Sequence, residues 1–220
     1  FYPNNIAVIG ASSNISKVFY LLSMSIISSG YAGELFLVNP KTDYILNINL
    51  VGPNCLGVIN NDLTSSLHFN GSFAFTPKRT GSVSLVSQSG AIISSLIDKA
   101  DKTGFGFNKV ISVGNKADLD AADFVSYLDK DNSTKVIALY LEGFKRASEI
   151  VNQIKNTKKP VIVLKAGRSE SAKAAVSSHT GTIAGNSKTA LMQLEMCNAV
   201  ITTNLEEFFE AMSIFNGYTV

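Results

Sequence analysis

The residues best suited to chemistry lie in Ser177-Ser-His-Thr-Gly-Thr-Ile-Ala-Gly185. His179 is one of two histidines in the chain, and its small neighbours and glycines leave room around the ring and backbone amides nearby. Metal binding would need further ligands at suitable spacing, and the segment has none. General base work is open to such a histidine, but a nucleophile that takes up a phosphoryl group suits an amide-rich loop better. A phosphohistidine needs N–H donors for its negative charge and a carboxylate to fix the ring tautomer. Ser87-Gln88-Ser89-Gly90 sits where a predicted strand hands over to a helix, a start that favours anions. The alternative there is an ordinary serine N-cap. A serine-hydrolase elbow fits less well, because the first glycine of that pattern is replaced at Val86. Glu142 ends a predicted strand, precedes Gly143 and falls on the same sheet edge. His68 lies in a polar context and reads as incidental.

A second group is phosphate-friendly. Gly10, Ala11, Ser12 and Ser13 follow the apolar run Ile6–Ile9 and open a helix, so free amides and a glycine meet at one turn. The third glycine of a full dinucleotide fingerprint is missing, so a plain connection without ligand stands beside the binding reading. Lys41, after Val38-Asn39-Pro40, would reach the same ligand from the next strand end; a solvated lysine is the alternative. Gly52-Pro-Asn-Cys-Leu-Gly57 forces a defined loop in which Asn54 offers both a donor and an acceptor. Cys55 in that loop reads as packing and not as a nucleophile.

The elements that must position these residues alternate as in an α/β protein. Strand Ile6–Ile9, a helix to Ser29 and strand Glu34–Val38 make one unit, with a right-handed crossover expected. The stretch Lys41–Asn49 has no clear period, and two strands alone make an incomplete sheet. Gly71–Thr80 reads as a linker. A second series then runs strand Ser82–Val86, helix Ala91–Thr103, strand Lys109–Val113, helix Asp120–Leu128 and strand Lys135–Leu141. Helix Arg146–Asn156, strand Pro160–Ala166, a loop and helix to Asn198, strand Val200–Thr202 and helix Leu205–Asn216 complete it. The expected fold class is α/β, a Rossmann-like domain over residues 1–75 followed by a flavodoxin-like doubly wound domain over 81–220.

Composition agrees with a globular protein: of 220 residues, 45% are hydrophobic and 16% charged. A net charge of +2 gives no reason to expect a nucleic-acid partner. The apolar run Phe19–Ile27 is too short to cross a bilayer, so no membrane partner is expected. Two distant cysteines suit a reduced, cytoplasmic protein.

Taken in order, Ile6–Ser13, Val38–Lys41, Gly52–Gly57, Val86–Gly90, Ser112-Val-Gly-Asn-Lys-Ala-Asp118, Tyr140–Gly143, Lys165-Ala-Gly-Arg168 and Ser178–Gly185 resemble the ADP-forming acetyl-CoA synthetases of the succinyl-CoA synthetase superfamily. The resemblance covers nearly the whole chain. It implies a CoA-binding first domain, with Gly10, Ala11, Ser12, Ser13, Lys17, Asn39, Pro40 and Lys41 lining the coenzyme A pocket and Asn54 nearer the thiol. It also implies that His179 is phosphorylated, that Glu142 orients it, and that Ser87, Gln88, Ser89 and Gly90 cradle the phosphoryl group. The implied activity is that of an acid–CoA ligase: acyl-CoA, ADP and phosphate interconvert with a small carboxylic acid, coenzyme A and ATP. ATP, ADP and Mg2+ would enter only through an ATP-grasp domain or subunit, and an oligomer is expected. Two departures stand out. Lys17 is followed by Val18-Phe19 in place of a small residue, and two strand–helix units of the family are absent between Thr42 and Leu50, where further chain is expected. The rival readings are the CoA-binding regulatory half of a protein acetyltransferase and a CoA-binding module without chemistry.

Overall fold

The computed structural model describes residues 4–9, 18–29, 33–38, 51–52, 54–62, 67–70, 77–167, 187–197 and 199–217. Strand β1 (Asn5–Ile9) pairs in parallel with β2 (Glu34–Val38), Val8 opposite Leu37, and helix α1 (Val18–Ser28) lies between them in sequence. This is the expected strand–helix–strand unit.

The larger sheet has seven strands in the order β4-β3-β6-β5-β7-β8-β9. Its parallel strands are β5 (Val83–Ser87), β6 (Phe107–Ser112), β7 (Val136–Leu141), β8 (Val161–Lys165) and β9 (Val200–Thr202). In chain order within this series they stand second, first, third, fourth, fifth, the flavodoxin arrangement. Each predicted strand of the series is present to within two or three residues. The central strands are buried on both faces, so β7 and β8 are near-continuous apolar runs, and the two serines of β5 are buried with its apolar residues.

Side chains alternate between two cores. On one face Leu85, Phe107 and Ala138 pack with Ile93, Leu96 and Ile97 of α2 (Gly90–Thr103) and with Phe208 and Met212 of α6 (Leu205–Gly217). On the other, Val86, Ile111 and Leu139 pack with Phe124 and Val125 of α3 (Ala121–Lys130), Ile150 and Ile154 of α4 (Ala147–Asn156) and Leu194 of α5 (Ser187–Met196). Local signals set the helix ends. Asp120 and Asp123 form a capping box at α3, and Gly104, at φ 76°, closes α2 in the left-handed conformation.

One expectation is corrected. Residues 57–70 were assigned to the first unit, yet β3 (Gly57–Asn60) pairs antiparallel with β6, and β4 (Leu67–Asn70) pairs with β3. The larger sheet therefore begins well before residue 81. Among the described residues no helix is long and apolar enough to cross a membrane.

Candidate active site at the carboxyl edge of the sheet

Strands β5 and β7 are neighbours, but the connections leaving them run to opposite faces, which opens a crevice between their carboxyl ends. Ser87–Gly90 lies at one lip and Glu142–Gly143 at the other. The structure thus places Ser87, Gln88, Ser89, Gly90 and Glu142 about one crevice.

Their roles are finer than a uniform cradle. The Ser87 hydroxyl donates to the Ser89 carbonyl at 2.9 Å and accepts from the Ser89 N–H at 3.1 Å, so it shapes the turn. Ser89 is the N-cap of α2 and its hydroxyl accepts from the Ile92 amide. The Gln88 N–H is occupied by the Tyr140 carbonyl. This leaves the first-turn amides of Gly90 and Ala91, which by helix geometry have no intrahelical partner. Ala91 was not singled out from sequence, because a backbone donor leaves no trace in residue type.

Gln88 is a strut. Its carboxamide oxygen accepts from the N–H of Glu142 and, at 3.0 Å, from that of Gly143. Lys165 donates to the Glu142 carbonyl at 2.8 Å, and Lys116 to the Gly143 carbonyl at 3.0 Å. In return Lys145, just past that turn, donates to the Lys116 carbonyl at 2.9 Å. Glu142 Oε2 is buried without a hydrogen-bond partner among the described residues. Burial, together with the Glu142 charge nearby, raises the Tyr140 phenol. Lys116 and Lys165 escaped the sequence reading, although both stand in motifs that it quoted.

The Gly52–Gly57 loop belongs to this edge. Gly52 accepts from the Ala117 amide at 2.8 Å, the Leu56 amide donates to the Ser112 hydroxyl at 3.0 Å, and Asn54 donates to Asn115 at 3.3 Å. Leu56 packs against the α2 start so closely that a Cβ on Gly90 would stand 2.7 Å from its Cγ. Cys55 donates to the Val51 carbonyl, and burial pushes its thiol up, away from the reactive thiolate.

Gly10, Ala11, Ser12, Ser13, Lys17, Asn39, Pro40, Lys41 and His179 lie outside the described residues, as do positions 42–50 and the side chain of His68. Chain connectivity still constrains the His179 segment. It departs after Gly167 at the end of β8, the neighbour of β7, and rejoins at Ser187.

The strand order defines a doubly wound α/β domain. Residues 80–215 match the family described as the succinyl-CoA ligase like flavodoxin domain, and the chain belongs to that family. The acetate–CoA ligase (ADP-forming) I of Archaeoglobus fulgidus is 39% identical over 165 residues, 74% of this chain and 24% of the relative. The alpha subunit of acetate–CoA ligase (ADP-forming) II of Pyrococcus furiosus is 38% identical over 170 residues, 76% of this chain and 36% of that subunit. The chain thus spans a quarter to about a third of these relatives. The dinucleotide forming acetyl-coenzyme A synthetase 1 of Ca. Korarchaeum cryptofilum, in complex with phosphate and ADP, shares the fold. Its TM-score is 0.82 at 24% identity, covering 97% of this chain and 61% of the other.

Proposed function

We propose that this chain is the CoA-binding, phosphohistidine-carrying part of an acid–CoA ligase (ADP-forming) that works in the cytoplasm with an ATP-grasp domain or subunit. The observation that carries the reading is the buried carboxylate oxygen of Glu142, which has no hydrogen-bond partner among the described residues. It lies just past the end of β7, across the switch point from the first-turn amides of α2, and β7 neighbours β8, the strand that launches the His179 segment. The sequence similarity to ADP-forming acetate–CoA ligases favours it over a regulatory acetyltransferase half.

In this reading Glu142 accepts a hydrogen bond from one ring N–H of His179 and leaves the lone pair of the other nitrogen for attack. That nitrogen forms a bond to the phosphorus of an acyl phosphate, the P–O bond to the acyl group breaks, and the carboxylate departs. The Gly90 and Ala91 amides and the α2 dipole receive the phosphoryl charge. Gly10, Ala11, Ser12, Ser13, Lys17, Asn39, Pro40, Lys41 and Asn54 would hold coenzyme A. ATP, ADP and Mg2+ would be handled by the ATP-grasp partner, to which the phosphohistidine passes its phosphoryl group.

The test is transfer of label from γ-labelled ATP to the full-length protein with its partner. Acid-labile, base-stable label on the chain is expected; His179→Asn should abolish it and Glu142→Gln should slow it at least about tenfold. Full labelling of His179→Asn would overturn the reading.

A further inference from the structure

Three side chains from three separate elements hold the Glu142–Gly143 turn by its backbone. Gln88 takes both N–H groups, Lys165 the Glu142 carbonyl and Lys116 the Gly143 carbonyl. Both lysines are 4% exposed, a costly place for an ammonium. Lys116 also sits at φ 55°, in the left-handed region that non-glycine residues avoid. Burial lowers its pKa, an effect only partly offset by Asp120 at 3.4 Å. Apart from the Lys116–Asp120 pair, the described hydrogen bonds of both ammonium groups go to peptide carbonyls, and Glu142 Oε2 has no partner among the described residues.

We propose that Lys116 and Lys165 are positioning residues that fix the Glu142 backbone so that its carboxylate meets an incoming N–H donor in one orientation. The proposal rests on the reading that Glu142 orients His179. A salt bridge to either lysine would occupy the oxygen that the imidazole needs. Directing the ammonium groups to the carbonyls instead anchors the turn through charge-assisted hydrogen bonds.

The experiment measures the rate of label transfer to His179 in the full-length enzyme with its partner. It compares Lys165→Met, Lys165→Gln and Lys116→Met, each with Glu142 intact and with Glu142→Gln. With Glu142 intact, each Met variant should slow labelling by about tenfold or more, and Lys165→Gln, which keeps a neutral donor, should recover part of the loss. With Glu142→Gln, removing either lysine should add less than about threefold, because the effect passes through the carboxylate. Equal slowing in both backgrounds, or none with Glu142 intact, would overturn the proposal while leaving the His179 reading standing. If a Met variant does not fold, Lys165→Gln in the two backgrounds decides by the same rule. Labelling of Glu142→Gln at the wild-type rate would instead remove the underlying reading, and the proposal with it.

Discussion

The carboxamide oxygen of Gln88 accepts from the backbone N–H of Glu142, 54 residues away, across the crevice between the carboxyl ends of β5 and β7. With the Gly143 N–H sharing the same oxygen, one side chain closes the gap between β5 and β7. Gln88→Leu fills a similar volume but leaves two sheltered N–H groups without an acceptor. A loss of about 2 kcal/mol or more is expected in urea unfolding. An unchanged midpoint would show that water takes over the acceptor's role.

Gly90 is a packing requirement at the helix start. A methyl group there would meet Leu56 Cγ at 2.7 Å, so Gly90→Ala should destabilise by about 1–3 kcal/mol despite the better helix propensity of alanine. Adding Leu56→Ala should return part of that loss, since it removes the atoms in collision. Additive losses in the double variant would contradict the steric account.

The amino edge of the sheet carries a buried charge pair. Lys109 donates to Asp131 at 2.7 Å, to Asn108 at 2.7 Å and to Ser133 at 2.8 Å. Burial opposes ionisation of Asp131, but hydrogen bonds from Lys109 and Thr134 and the Lys109 charge outweigh it and hold the carboxyl below its usual value of 3.8. Unfolded Asp131 therefore takes up its proton at a higher pH than folded Asp131. The pair's contribution is complete above the unfolded value and is lost as pH falls through the folded one. Asp131→Asn should cost about 3 kcal/mol near neutral pH. The gap to the wild type should narrow as the solution is taken below about pH 4. A constant gap down to about pH 2 would rule out the ion pair as its source.

Coenzyme A should bind the full-length protein through the first unit. Lys41→Ala removes a charge-assisted contact and should weaken binding about tenfold or more by calorimetry. Equal affinity of variant and wild type would remove Lys41 from the site.

Periodicity and end signals made most of the larger domain readable. Asp120 with Asp123, Gly104 after α2 and the apolar runs of β7 and β8 act within a few residues of themselves, so their meaning survives in sequence. Gly57–Asn60 and Leu67–Asn70 did not read as strands of this sheet. Each has four residues; Gly57–Asn60 is fixed by pairing onto β6, about 50 residues further along the chain, and Leu67–Asn70 by pairing back onto Gly57–Asn60.

The sequence by itself determined the α/β class, the parallel series and the placing of Ser87–Gly90 and Glu142 at strand ends, because those follow from local hydrophobic and turn chemistry. Only the tertiary structure decided what holds Glu142. Lys116 and Lys165 are ordinary lysines in sequence, and a side chain that donates to a distant peptide carbonyl leaves no pattern of spacing. Sheet order brought those ammonium groups to the switch point, and burial at that point made their hydrogen bonds to the turn obligatory.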